Sequence, residues 1–322
     1  MSASLSPPTT PILFEPIYQA RIWGGRRLAS VLGRTLPAGD DLIGESWEIS
    51  DREEALSVVR GTEGQTIHEL WTECRAAVFG ENLAGHPSPR FPLLMKILDA
   101  CDDLSIQVHP PASIAAELGG EPKTEMWFVA HAEPGAKIYA GLRAGVTRAD
   151  FEEALCTGNV AELVHTLYPK SGDCLFIPSG RIHAIGAGLL IYEIQQNSDT
   201  TYRVFDWNRT DANGNLRQLH IEESLRSIDF TDFEPGMART SAAGVLAACE
   251  FFEVREQASD GERAAGRAGE HLTIAVTQGT LRCGGVFLRA GDFCLIPACL
   301  DGEARRIEEC SADSHWLEIR IP

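Results

Sequence analysis

The sequence predicts a mainly β protein made of two related all-β units, with a few short helices. Three observations carry that expectation. From Ile12 onward, apolar residues come in short runs punctuated by glycine and proline, the pattern of strands joined by turns. Helical periodicity is confined to a few segments. One seven-residue pattern also occurs twice, as Gly172-Asp-Cys-Leu-Phe-Ile-Pro178 and as Gly291-Asp-Phe-Cys-Leu-Ile-Pro297. In each copy glycine permits a tight turn into the strand, and proline ends the strand without needing a ladder donor.

Taken in order, residues 1–10 are rich in Ser, Pro and Thr and are expected to fray. Gln65–Phe79 places Ile67, Leu70, Trp71, Cys74 and Val78 at helical spacing. Pro111–Leu118 reads as a short helix with a proline start. Thr147 is a plausible N-cap for the helical run that follows it. Asn159–Leu167 reads as a second short helix in that region, and Ile221–Ile228 as another. Thr231–Gly244 is small, polar and proline-bearing, which makes it the best linker candidate. Beyond it the chain reads as strands and turns, with Glu256–Glu270 as an exposed loop. The expected division is therefore 1–235 and 236–322.

Composition narrows the function. With 28 basic and 46 acidic residues the net charge is −18. Such a chain repels phosphate backbones and anionic lipid headgroups, which argues against nucleic acid and membrane surfaces as partners. Only four of the basic residues are lysines: Lys96, Lys123, Lys137 and Lys170. No apolar run approaches the ~20 residues of a spanning helix, and Met1–Pro11 lacks the features of a secretion signal. The nine cysteines include no C-x-x-C pair. They are expected to be free, mostly buried thiols in a reducing cytoplasm.

The first repeat copy continues as Pro178-Ser-Gly180-Arg-Ile-His183, giving G-x5-P-x-G-x2-H. This resembles the second motif of the cupin jelly roll, whose histidine is a metal ligand. The first cupin motif corresponds to Gln107-Val-His109, with a glutamate following at Glu125. Residues i and i+2 of a strand share a face, so Gln107 and His109 can point at one ion. One amide oxygen, two imidazoles and one carboxylate suit zinc, and also manganese, iron or cobalt. The second copy runs on as Ala298, Cys299, Leu300 and Asp301, without the glycine or histidine, and is expected to be a metal-free jelly roll. His131, His165, His220, His271 and His315 have no comparable context and are read as structural or exposed.

The segments Phe91–Ala100, Leu104–Pro110, Lys123–Val129 and Ile177–Arg209 are similar to the type I mannose-6-phosphate isomerases, in particular their short, Bacillus-like bacterial branch. Trp23-Gly24-Gly25, Gly44–Ser50 and Arg217–Ser224 support the likeness. It spans about Phe14 to Phe230. It implies two cupin-type jelly rolls and a zinc-dependent interconversion of mannose 6-phosphate and fructose 6-phosphate. It places the metal ligands on Gln107, His109, Glu125 and His183, and an active-site arginine on Arg203. Lys123 and Glu193 become acid/base candidates.

Enediol chemistry fits these residue types. It needs a base, a group that stabilises an enediolate, and often a metal. Arg203 offers a permanently charged donor fork. Lys123 serves as base only if its pKa falls towards neutrality; Glu193 is the carboxylate alternative. For the phosphate, Ser105 and Lys96 are the candidates, with Arg181 and Arg209 behind them, while Lys96 can equally snorkel as a structural residue. The expected partner is a small sugar phosphate, and the expected state is a monomer or small homo-oligomer. Rival readings are a cupin isomerase for another phosphosugar or a free aldose, a non-catalytic sugar-phosphate sensor, and a cupin dioxygenase. Ala187 stands where cupins carry an asparagine after the motif histidine.

Overall fold

A computed structural model describes residues 6–210, 214–238, 244–258 and 261–322. Two pairs of antiparallel sheets dominate it. In the first unit, a six-stranded sheet runs in the order Cys174–Ile177, Glu125–Ala132, Leu189–Gln196, Leu93–Ala100, Ile43–Ile49, Ile17–Gly25. A five-stranded sheet accompanies it, in the order Val164–Leu167, Ile138–Leu142, His183–Ile185, Ile106–Val108, Tyr202–Phe205. The second unit has a six-stranded and a four-stranded sheet, the larger centred on Leu272–Gln278 and His315–Arg320. The fold is thus mainly β, with two cupin-type jelly rolls. No helix among the described residues is long and apolar enough to cross a membrane.

The two units are not separate beads. The first strand of the chain, Ile12–Leu13, pairs with Phe293–Ile296 and so extends the sheet of the second unit. One apolar cluster runs across the seam, with Trp71, Phe79 and Tyr192 on one side and Phe252, Phe293 and Leu317 on the other. Tyr192 stacks on Phe293 at 5.6 Å and donates its hydroxyl to the Val276 carbonyl. Arg34, buried, binds Glu48 with both terminal nitrogens and donates to the Gly291 carbonyl.

The local signals mostly became the elements they announced. Thr66 and Thr147 each close a capping box, with Glu69 and Asp150 respectively. Pro111 precedes a helix at Ala112–Ala115, and Ile221–Ser227 is helical. The Gln65–Phe79 periodicity is realised as two helices, Ile67–Glu73 and Arg75–Phe79, broken at Cys74 (φ −125°, ψ 23°).

Four expectations need correction. Asn159–Leu167 is not a second helix: a 3-10 turn at Val160–Leu163 gives way to the strand Val164–Leu167. The preceding helix has already ended at left-handed Gly158, and β-branched Val164 and Thr166 pair with Ile138–Leu142. Glu256–Glu270 is not one exposed loop. Its start belongs to the strand Glu253–Ala258, Arg263–Ala264 pairs with Arg306 and Ile307, and Ala265 is buried. The cysteines are free but not mostly buried. Cys74, Cys174, Cys283 and Cys294 are buried and Cys249 is half-buried, while Cys101, Cys156, Cys299 and Cys310 are exposed. The exposed four lie outside the apolar core clusters. Within the linker candidate, Asp232 and Ala238 hydrogen-bond to Leu142 and Cys174 of the first unit, so this stretch packs on the barrel; residues 239–243 lie outside the described ones. So do residues 1–5, half of the segment expected to fray.

Candidate active site

The strand registers bring the predicted residues together. On the smaller sheet of the first unit, Gln107 lies directly opposite His183 on one side and Arg203 on the other. Directly opposed residues share a face, so these three form one row. On the larger sheet, Glu193 lies opposite Trp127 on one side and Lys96 on the other, and Lys96 is in turn opposite Trp47. Glu125 sits two residues before Trp127 on the same face. The two rows flank a cavity of about 400 Å³, which Lys96, Ser105, Gln107, Lys123, Glu193 and Arg203 help to line.

Next to Gln107 and Lys123 of the cavity wall, His109, Glu125 and His183 are buried, with donor atoms all within 4.8 Å of one another. The Glu125 carboxylate lies 3.5 Å from His109 Nε2 and 3.6 Å from His183 Nε2. Donors bound to one zinc at about 2.1 Å stand roughly 3.4 Å apart along a tetrahedral edge. The second ring nitrogens are already engaged. His109 Nδ1 is 2.8 Å from the Thr200 carbonyl, and His183 Nδ1 is 2.9 Å from the Arg181 carbonyl. A carbonyl only accepts, so each Nδ1 carries the proton and each Nε2 presents a lone pair. Buried His109 Nε2 and Glu125 Oε1 make no hydrogen bond. Burial, with Lys123 and His183 adding to it, holds His109 well below its usual pKa. Burial likewise lowers His183, although Glu125 opposes it. Both rings are therefore neutral, as metal ligation requires. The residues fit a divalent metal ion. Gln107 reaches the same point, its amide nitrogen 3.2 Å from His183 Nε2, and a half-turn of the amide presents the oxygen instead.

Beside this cluster, Lys123 Nζ is 3.0 Å from Glu125 and 3.3 Å from Glu193. Burial opposes the ammonium charge, but the two carboxylates outweigh it and raise the Lys123 pKa. Burial pushes the Glu193 carboxyl up to about 7; Lys123 pulls it down and Glu125 pushes it further up. Glu125 moves the other way. Burial would raise it, and Lys123 and His183 overcome that.

Arg203 donates to the Gln218 carbonyl, while its Nε is buried without a partner. Burial, together with the neighbouring Arg217, weakens its hold on its proton. Ser105 and Lys96 are both buried in the cavity wall. Lys96 Nζ sits 4.6 Å over the Trp47 ring and 3.8 Å from both Glu45 and Asp199. Arg181 is absent from the cavity wall and is held bidentate by Asp232 at 2.7 Å. Arg209 is likewise tied to Asp206.

Sequence reasoning missed part of the wall. Arg21, Glu45, Asp199, Thr201 and Arg217 also line the cavity. Arg21 forks onto Glu45 at 3.1 and 3.2 Å. Lys96 and Arg21 outweigh the effect of burial and hold Glu45 down at about 2. These residues lie inside or beside quoted motifs, so proximity to a motif was the available signal.

A family model for the catalytic domain of type I phosphomannose isomerase matches residues 12–121. The chain is 36% identical over 303 residues to mannose-6-phosphate isomerase ManA of Bacillus subtilis, covering 90% of this chain and 93% of that protein. This chain belongs to the type I phosphomannose isomerases. Another member, the mannose-6-phosphate isomerase of Streptococcus mutans, is also 36% identical, over 89% of this chain and 92% of its own length. Among solved phosphomannose isomerases, the mannose 6-phosphate isomerase of Bacillus subtilis superposes with a TM-score of 0.83 at 30% identity. That match covers 97% of this chain and 100% of the other. A putative mannosephosphate isomerase from Archaeoglobus fulgidus, 24% identical with a TM-score of 0.78, shares the fold over 98% of this chain and 99% of its own. Type I phosphomannose isomerases are metal-dependent, and the His109, Glu125 and His183 cluster can hold a metal here.

Proposed function

We propose that this chain is a mannose-6-phosphate isomerase, interconverting mannose 6-phosphate and fructose 6-phosphate through an enediol. The observation that carries the reading is the contact between the buried His109–Glu125–His183 cluster and the Lys123–Glu193 pair in the cavity wall. Gln107, His109, Glu125 and His183 would hold one ion, with Zn2+ matching the donor set best. When bound, that ion supplies Lewis-acid polarisation of sugar oxygens. Residues 1–235 form the catalytic unit in this reading, and 236–322 a metal-free one.

The chain's own residues divide the remaining work. A proton must leave C2 or C1 and return to the other carbon. Glu193, pushed up to about 7, is the proton-handling group; Lys123, whose pKa is raised rather than lowered, does not meet the condition for a base and stands beside it as an ammonium. Arg203 supplies a guanidinium for the negative charge that develops on the oxygens of C1 and C2. Ser105 and Lys96 receive the phosphate. The enzyme acts in the cytoplasm as a monomer or small homo-oligomer; its free thiols support that compartment.

The test is metal analysis of the purified protein beside a coupled isomerase assay, with and without chelator, across several sugar phosphates. Activity on mannose 6-phosphate that chelator removes and Zn2+ restores is expected. His109→Ala and His183→Ala lose metal and activity together, whereas Arg203→Ala keeps metal and loses most of its turnover. Full activity in both histidine variants would sink the site assignment, and a uniform lack of activity on mannose 6-phosphate would sink the function.

A further inference from the structure

The cavity wall has a charged side and an apolar side. The apolar side is made by Trp23, Leu98, Leu104, Trp127 and Ile185, and among these side chains one polar atom is both buried and unpaired. Trp127 is 1% exposed and its indole Nε1 is buried without a hydrogen-bond partner. Buried donors are almost always paired, and an apolar wall has no need of an indole where phenylalanine would pack. Its position is also specific. Trp127 is the direct cross-strand neighbour of Glu193, lies two residues beyond Glu125 on the same strand, and meets the His183 ring edge-on at 5.4 Å and 82°. The indole therefore borders both His183 and Glu193.

We infer that the Trp127 indole N–H is a specificity donor, satisfied when a non-reacting hydroxyl of the sugar enters the cavity. The inference rests on the proposed isomerase reading. In that reaction C1 and C2 carry the chemistry and C6 carries the phosphate, so the hydroxyls left for recognition along the chain include O3 and O4. A site built to hydrogen-bond a substrate hydroxyl rejects the analogue that lacks it, because its own donor is then left unpaired. Trp127 thus reads the middle of the substrate, while the charged side reads its ends.

The experiment is a cycle between enzyme and substrate. Wild-type turnover of mannose 6-phosphate is measured first, so that failure of the isomerase reading is seen on its own. Wild type and Trp127→Phe are then compared on mannose 6-phosphate and on its 3-deoxy and 4-deoxy analogues, with metal content and melting temperature recorded. Wild type is expected to lose about tenfold or more in kcat/KM on one deoxy analogue. Trp127→Phe should lose a similar factor on mannose 6-phosphate and no longer distinguish that analogue from it. A benzothiophene isostere of the Trp127 side chain, which keeps the shape and lacks the N–H, should behave as Trp127→Phe does. Equal losses by the variants on every substrate would overturn the inference. So would reduced metal content as their sole defect, since the indole would then be serving His183 rather than the sugar.

Discussion

The two copies of the glycine–aspartate turn share their backbone bonds and part company in their side chains. Gly172 and Gly291 have φ of 92° and 96°, a region that favours glycine. Gly172 N donates to Val129 O at 2.8 Å, and Gly291 N to Val276 O at 2.9 Å; the return bonds, Val129 N to Asp173 O and Val276 N to Asp292 O, are 2.9 and 3.0 Å. Each aspartate side chain accepts from the backbone three residues earlier, Lys170 N at 2.7 Å and Arg289 N at 2.9 Å. The strands that follow have equivalent partners. Ile177 is opposite Glu125 in the first unit, and Ile296 is opposite Leu272 in the second. Leu272 thus stands where the first unit has a metal-competent carboxylate, and Ile274 stands where it has Trp127. In the second barrel these residues join an apolar cluster with Trp316 and Leu288. One turn chemistry builds both barrels; a few inward-facing positions decide which becomes a site and which a core.

The largest expected effect comes from erasing that difference. Glu125→Leu installs the second barrel's residue in the first. It should lower isomerase turnover on the order of a thousandfold and empty the metal site, read by turnover and metal analysis together. A variant that keeps its metal would separate the barrels on other grounds.

The seam between the units gives the next effect. His271, buried in the second unit, binds the Phe79 carbonyl of the first at 2.9 Å. Burial, joined by Arg305 and Arg320 and opposed by that hydrogen bond, lowers its pKa to about 4. Its unfolded counterpart titrates near 6.5. Above that pH both states are neutral and the seam is at full strength. As pH falls from about 6.5 to about 4, the unfolded state takes the proton first and stability drops, by about 3 kcal/mol in total. Urea unfolding across that range should show the loss in wild type and a flatter profile in His271→Gln. Parallel profiles would remove His271 as the cause.

The smallest effect should be shared. Asp173→Ala and Asp292→Ala each delete the same turn bond, and each should cost about 1 kcal/mol in unfolding experiments. A large asymmetry between them would mean that the turns are less alike in energy than in geometry.

What was legible in the sequence follows the same division. The turn, the strand after it and the donor spacing are local, so Gln107, His109, Glu125 and His183 could be picked out within short segments. Arg203 and Glu193 came with a long, specific likeness. Arg21, Glu45 and Asp199 were illegible as wall residues because their place depends on which strands become neighbours. Glu45, for instance, is fixed by Arg21, Lys96 and Trp47 at once. Trp127 was hidden for a different reason. In an apolar strand an indole reads as packing, and only its unpaired N–H and its place in the cavity wall separate it from a core residue. Val164–Leu167 was misread because a four-residue strand carries too little pattern to outweigh the helix before it.

The pairing of Ile12–Leu13 with Phe293–Ile296 has a consequence for how the molecule is made. Ile12–Leu13 precedes the first barrel in the chain, yet it is an edge strand for a sheet whose other strands all follow that barrel. It must wait, unpaired, while the first barrel is being made, and it docks only once Phe293–Ile296 is available. Because this contact closes so large a loop, it is among the slowest the chain has to find. The two barrels are therefore joined in time as well as in space: a strand made before the first barrel is held by the second.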